Sequence, residues 1–242
     1  MDDGGAFTVD TILGGRVTLL QPSHGFRASL DPILLARFVA PPFGRFLDIG
    51  CGTGAVSFVL LALDQAATGV GVELQAPLAA LASEGRARNG WADRLDVRAG
   101  DVRGLDLGAA CFDLVVTNPP FRPVDGGHLS PHETRALSSH EVTLTLAAWV
   151  DVAARAVRPG GRVAAIFPAD RALELGAALR ARDLAPARLR FVHPRADRPA
   201  GRVLVEAVRG GKMPVVVEPP LVVHGEGEGE RFTPEVARML GA

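Results

Sequence analysis

The four residues of this 242-residue chain best suited to chemistry lie in a row, Asn118-Pro119-Pro120-Phe121. Two prolines stiffen the backbone and remove two amide donors, so the Pro119 carbonyl is held outward as an acceptor. The Asn118 side-chain oxygen is a second acceptor beside it. Two adjacent acceptors match a planar NH2 group, which carries two donors. Phe121 adds a flat apolar face on which an aromatic base can stack, worth about 1–3 kcal/mol. Taken alone, the tetrapeptide also reads as a proline-rich turn with a core phenylalanine. Its position argues for chemistry, because it ends the apolar run Phe112 to Thr117 (FDLVVT). A strand end is where open α/β folds bind their ligands.

Upstream lies Asp48-Ile49-Gly50-Cys51-Gly52-Thr53-Gly54. Glycines between a strand and a helix let the backbone turn tightly and approach a ligand, and the helix N-terminus adds a favourable dipole. The loop has three readings: a structural turn, a nicotinamide-dinucleotide site, or a site for a cationic amino-acid ligand. Gly50, Gly52 and Ala55 satisfy the dinucleotide spacing. Glu73, near the end of the second strand, can hold ribose hydroxyls under either binding reading. Asp48 tilts the balance, because a carboxylate beside the ligand repels a pyrophosphate and suits a sulfonium amino acid. After the third strand, Asp101 can accept from an adenine amine or act as a helix cap or surface acid.

The elements that must position these residues alternate. Strands are predicted at Phe46–Ile49, Val70–Glu73, Leu95–Arg98, Phe112–Thr117 and Arg162–Phe167. Helices are predicted at Ala55–Leu63, Pro77–Arg88, Glu141–Val157 and Ala169–Arg182. Two further strands, near Leu189–Val192 and Arg202–Val208, have no helix between them. The pattern is α/β: a doubly wound, mostly parallel sheet with an antiparallel edge hairpin. Residues 1–44 break the alternation and are expected to form an N-terminal cap on a domain spanning 45–242. A last helix is expected from Thr233-Pro234.

Composition excludes several classes. Apolar residues make up 48% and charged residues 22% of the chain, the balance of a globular protein. No apolar stretch is long enough to span a bilayer, and the acidic N-terminus lacks an apolar signal region. The two cysteines, Cys51 and Cys111, form no CxxC pair, which argues against a disulfide scaffold and a zinc knuckle and fits a reducing cytoplasm. No metal site is expected: Pro131 works against one helical face for His128 and His132. Cys51 is expected to pack rather than react, since no base is in evidence. Net charge is −1, yet residues 177–209 hold eight arginines against three acids, a local balance of +5. That run reads either as a phosphate-gripping patch or as a solvated face.

Together, DIGCGTG, Glu73, Asp101 and NPPF resemble the motifs of Rossmann-like, S-adenosylmethionine-dependent methyltransferases that modify planar amines. The flanks resemble the bacterial enzymes that methylate N6 of the anticodon-loop adenine 37 in valine tRNA. These flanks are Gly14-Gly15-Arg16, Gln21-Pro22-Ser23-His24-Gly25-Phe26-Arg27, Asp31-Pro32-Ile33-Leu34-Leu35-Ala36, Ser139-His140-Glu141 and Pro219-Pro220-Leu221-Val222-Val223-His224. The family often has tyrosine where this chain has Phe121, which keeps stacking and drops a hydroxyl.

The resemblance implies S-adenosyl-L-methionine held by Asp48, Gly50, Gly52, Gly54, Glu73, Asp101 and Arg27. It implies catalysis by Asn118, Pro119 and Phe121, and substrate contacts from Pro120 and Arg122. The implied partner is tRNA, with no membrane and no metal. Protein-glutamine methylation and rRNA guanine-N2 methylation remain as alternatives that also present a planar NH2. A nicotinamide oxidoreductase would explain the glycine loop but gives NPPF no task, and a non-catalytic RNA-binding module also stays open.

Overall fold

The structure, a computed structural model, describes residues 7–24, 30–119, 144–212, 214–225 and 231–241. Strands β1 (Phe7–Ile12) and β2 (Val17–Pro22) form an antiparallel pair, followed by helix α1 (Asp31–Phe38). Then come β3 (Arg45–Ile49), α2 (Ala55–Leu63), β4 (Thr68–Glu73), α3 (Ala76–Arg88), β5 (Leu95–Ala99) and β6 (Phe112–Thr117). The second half holds α4 (Leu146–Ala156), β7 (Val157–Pro168), α5 (Ala172–Arg180), β8 (Leu184–His193) and β9 (Arg202–Arg209). Two short strands, β10 (Val216–Val217) and β11 (Leu221–Val222), precede helix α6 (Pro234–Leu240).

The main sheet has the order β10-β8-β9-β7-β6-β3-β4-β5, with β11 also on β8. Pairs from β5 to β7 are parallel, and β9 runs antiparallel to both β7 and β8. The expected doubly wound architecture is therefore present. The antiparallel hairpin β8–β9 stands toward one side of the sheet but is not its edge, because β10 and β11 pair with the outer flank of β8.

Strand alternation divides the core into two layers. Phe46, Leu114, Val116, Ala164, Ile166 and Leu204 face α1 and α2, while Leu47, Ile49, Val115, Val163, Ala165 and Val205 face α4 and α5. A parallel sheet buried on both faces needs apolar residues at successive positions, which is why FDLVVT reads as a continuous run. The N-terminal residues join the first layer: Leu13, Val17, Leu19 and Ile33 through Ala36 are buried there. Asn89, after α3, clamps β2 by accepting from the Thr18 amide (2.9 Å) and donating to the Thr18 carbonyl (2.7 Å).

Several element bounds are corrected: the predicted helix Glu141–Val157 starts at Leu146, capped by Thr145, and ends at Ala156, and the strand expected near Leu189–Val192 runs from Leu184 to His193. The predicted strand Arg162–Phe167 begins earlier, at Val157, directly after α4. Phe112 pairs with Val157 and Leu114 with Arg162, so Pro159-Gly160-Gly161 bulges within the strand instead of separating helix from strand. Gly160 takes φ +72° there, and the Arg158 guanidinium reaches Asp113 on β6 at 2.6 Å. The predicted helix Ala169–Arg182 opens as a 3-10 turn at Ala169–Arg171 and ends at Arg180. Thr233 caps α6 as expected, accepting from the Val236 amide.

Candidate active site at the carboxyl edge of the sheet

Strands β3, β4 and β6 lie side by side, so their carboxyl ends bring the two sequence motifs together. Ile49 is in register with both Val72 and Thr117. The glycine loop leaves β3 at Gly50, Glu73 ends β4, and Asn118-Pro119 leaves β6. The loop is anchored on β4: Gly50 N–H and Cys51 N–H both donate to the Val72 carbonyl, at 2.9 and 3.0 Å. Gly50, Gly52 and Gly54 have φ of +71°, +56° and +90°, conformations that side-chain-bearing residues rarely adopt. Around Gly50 and Gly52 a methyl group would meet nothing within 4 Å, so the loop presents bare backbone to open space.

Asp48 is fully buried on β3. Its Oδ2 accepts from the Ser57 hydroxyl (2.7 Å) and the Ser57 amide (3.2 Å), which caps the first turn of α2 from the neighbouring strand. Its Oδ1 is buried with no hydrogen-bond partner. Burial, reinforced by the nearby Glu73 charge and opposed by the two Ser57 hydrogen bonds, raises the Asp48 carboxyl to about 7. The Glu73 carboxylate is held in one orientation: Oε2 accepts from Gly52 N–H (2.9 Å) and Oε1 from Gln75 N–H (2.8 Å). Each of its oxygens keeps further acceptor capacity.

Asn118 stands where β6 ends, and its side-chain Oδ1 is also buried without a partner. Buried polar atoms are nearly always hydrogen-bonded, so two orphaned acceptors at one sheet edge need an explanation. Directly before Asn118, the Thr117 hydroxyl donates to the Ile49 carbonyl at 2.9 Å. Asp101 lies beyond β5, and its carboxylate is engaged by the Arg103 guanidinium (2.5 Å) and amide (2.9 Å), which lower its pKa from the ordinary aspartate value. It thus acts as a turn acid in this structure.

Cys51 is buried against Gly71, where a Cβ would come within 2.9 Å of its sulfur, and burial pushes its thiol well up, as suits a packing residue. His24 is exposed. Arg27, Pro120, Phe121 and Arg122, together with His128 and His132, lie outside the described residues. Sequence reasoning missed Ser57 and Thr117. Ser57 had a signal: it is the one hydroxyl within AVSFVLLAL, an otherwise apolar helix.

The arginine-rich segment looks different in three dimensions. Arg182 pairs with Asp151, Arg188 with Glu206 (3.5 Å) and Glu218 (3.3 Å), Arg190 with Glu235 (2.8 Å) and Arg202 with Asp31 (3.0 Å). Arg209 donates to the Val157 carbonyl and Arg195 to that of Gly225. Four of the acids, Asp31, Asp151, Glu218 and Glu235, come from outside the segment. They offset most of the +5 balance counted along the chain.

No described helix is long and apolar enough to cross a membrane. Among the described residues no group of three or more side chains is placed to hold a metal ion.

Comparison with known proteins agrees with the geometry. Residues 29–167 match the methyltransferase small domain. The chain is 34% identical over 171 residues to a tRNA1(Val) (adenine(37)-N6)-methyltransferase of Dickeya chrysanthemi, an alignment spanning 69% of this chain and 66%, just under two thirds, of the relative. It is 32% identical over 182 residues to a release factor glutamine methyltransferase of Cereibacter sphaeroides, spanning 70% of this chain and 62% of that one. Among solved structures, a predicted O-methyltransferase of Agrobacterium tumefaciens superposes with a TM-score of 0.69 at 24% identity, covering 86% of this chain and 94% of the other. With more than half of its length matched, glycine loop and β6 included, the chain belongs to the methyltransferase small domain family.

Proposed function

We propose that this protein is an S-adenosyl-L-methionine-dependent N-methyltransferase acting on the exocyclic N6 amine of an adenine in tRNA, the anticodon-loop adenine 37 of valine tRNA. It would do so in the cytoplasm. The observation that carries the reading is the pair of orphaned acceptors, Asp48 Oδ1 and Asn118 Oδ1, at the ends of adjacent strands. One suits a cation and the other a planar amine. The names of the relatives support the acceptor.

The residues fit the cofactor. Asp48 Oδ1 is an open acceptor for an ammonium group, Glu73 keeps lone pairs for ribose hydroxyls, and the glycine loop leaves space for a ligand against its backbone. Arg27 and Asp101 complete the proposed cofactor set, Asp101 only once its pairing with Arg103 opens. When bound, S-adenosyl-L-methionine supplies an electrophilic methyl group on a sulfonium.

The protein's part is to prepare the acceptor. An aromatic amine is a poor nucleophile because its lone pair is delocalised into the ring. Hydrogen bonds from its two N–H groups to Asn118 Oδ1 and the Pro119 carbonyl favour a pyramidal nitrogen and stabilise the positive charge that develops there. No strong general base is needed, because the methylated ammonium is acidic enough to lose its proton to water. Alignment then supplies most of the rate, with about 7–11 kcal/mol available in well-oriented systems. Phe121 would stack on the base, with Pro120 and Arg122 contacting the substrate around it. A single-stranded loop lowers the cost of taking the base out of its stack.

The test is transfer of labelled methyl to unmodified bulk tRNA, followed by digestion to nucleosides. Label in N6-methyladenosine, absent with Asn118→Ala, is expected. Label in N2-methylguanosine would move the acceptor to guanine. A second reading, methylation of a protein glutamine, is favoured by the Cereibacter relative, since a glutamine amide presents the same NH2 group. Label appearing only in a glutamine-bearing release-factor peptide would establish it in place of the first.

A further inference from the structure

The Ile49–Thr117 pair is the last register pair between β3 and β6. Beyond it the two chains part, one into the glycine loop and the other into Asn118-Pro119. At this fork the Thr117 side chain is 0% exposed, and its hydroxyl donates to the Ile49 carbonyl at 2.9 Å. The next residues on the β3 side, Gly50 and Cys51, are tied to the Val72 carbonyl, and Gly52 to the Glu73 carboxylate. One hydrogen-bonded chain thus runs from the residue before Asn118, through the loop, to the acid of β4. The Thr117 hydroxyl is the side-chain bond in that chain that joins the acceptor strand to the loop strand.

We propose that Thr117 is a positioning residue: its hydroxyl sets the spacing between the amine-accepting atoms of Asn118-Pro119 and the glycine loop. The inference rests on the reading of these two motifs as the two halves of a methyl-transfer site. In-line transfer requires the reacting atoms to approach within about 3–3.5 Å, and a misplacement of about 1 Å costs on the order of 100-fold in rate. Backbone ladder bonds hold the strands together up to this pair but not beyond it. Valine has nearly the same shape as threonine, so Thr117→Val keeps the packing, removes the donor and leaves the Ile49 carbonyl without it.

The experiment compares wild type, Thr117→Val and Thr117→Ser for S-adenosyl-L-methionine affinity and for single-turnover methyl transfer. The acceptor is whichever of bulk tRNA and a glutamine-bearing release-factor peptide the wild type methylates. Amide exchange is followed by mass spectrometry on peptides covering residues 46–53 and 114–119. In Thr117→Val the transfer rate is expected to fall about 10- to 100-fold with cofactor affinity within threefold of wild type. Thr117→Ser, which retains the hydroxyl, should stay within threefold on both.

Three results overturn the proposal: Thr117→Val within twofold of wild type, Thr117→Ser as slow as Thr117→Val, or cofactor affinity falling in step with rate. If the wild type methylates neither acceptor, the functional reading fails by itself, and exchange decides the clamp. Faster exchange in both peptides for Thr117→Val alone upholds it, and unchanged exchange overturns it.

Discussion

The carboxyl edge of β3, β4 and β6 and the arginine-rich hairpin β8–β9 present opposite cases. The edge has few charges, yet two of its buried oxygens, on Asp48 and Asn118, have no partner. Residues 177–209, which contain the hairpin, hold eight arginines, six of them within 184–209, yet their guanidinium groups reach acids or carbonyls of the same chain at position after position. Even the atoms of Arg188 and Glu206 that lack a hydrogen bond stand within ion-pair range of an opposite charge, at 3.5 Å. On the proposed reading, the ligand site is marked by two unpartnered buried oxygens on neighbouring strands, not by density of charge. Leaving a buried acceptor unmade costs stability, and a structure keeps such a cost where a ligand removes it.

That comparison can be broken at either region. The largest effect is expected from Asn118→Ala, which should lower the methyl-transfer rate by about 10²- to 10³-fold, the scale for removing one preorganised polar contact to developing charge. Cofactor affinity, measured by calorimetry, should stay within threefold. Equal loss of rate and affinity would show that Asn118 shapes the cofactor pocket instead.

Asp48→Asn should weaken cofactor binding by about 10- to 100-fold, the range for a hydrogen bond between charged groups. It should also remove a pH dependence. Burial holds the Asp48 carboxyl at about 7, so its ionisation opposes folding of the free protein. The stability it contributes is complete below the ordinary aspartate range, near 4, and is lost as pH rises through about 7. A cationic ligand favours the ionised form, so cofactor affinity should rise as pH increases from about 6 to 8, with uptake of fewer protons by the complex than by the free protein. A flat profile in wild type would remove Asp48 from contact with the cation.

Glu73→Ala should raise the cofactor dissociation constant about tenfold, one charged hydrogen bond's worth, and leave the transfer rate at saturation nearly unchanged. Unaltered affinity would exclude Glu73 from the ribose.

The smallest functional effect is expected in the hairpin. Arg190, 13% exposed, joins β8 to α6 through Glu235 at 2.8 Å. Arg190→Ala should cost about 1 kcal/mol in urea unfolding, the upper range for partly exposed ion pairs, with tRNA affinity changed less than twofold. A tenfold loss of tRNA affinity at unchanged stability would reverse the comparison and put the hairpin in an RNA interface.

Much of this was legible in the chain itself. The period of apolar residues gave Ala55–Leu63 and Phe112–Thr117 with the bounds the structure has, because helix and strand periodicity are local signals. The Pro-Gly-Gly after α4 misled for the same reason: those residues signal a break locally, and only pairing with β6 shows that the break is a bulge inside a strand. Residue types placed Asp48, Glu73 and Asn118 at strand ends, since glycine turns and double prolines stop strands wherever they occur.

The partners of those residues were another matter. That one oxygen of Asp48 caps α2 through Ser57 while the other stays open, that Thr117 bonds to Ile49 across 68 positions, and that Arg202 finds Asp31 across 171 are products of the folded arrangement. Spacing along a chain carries no information about which distant groups meet, because packing the sheet between its two helical layers selects those contacts all at once. The sequence alone determined the alternating elements, the glycine turn and the acceptor tetrapeptide. The tertiary structure decided which polar groups the protein satisfies for itself and which buried oxygens, on Asp48 and Asn118, stay without a partner, because only burial makes that distinction matter.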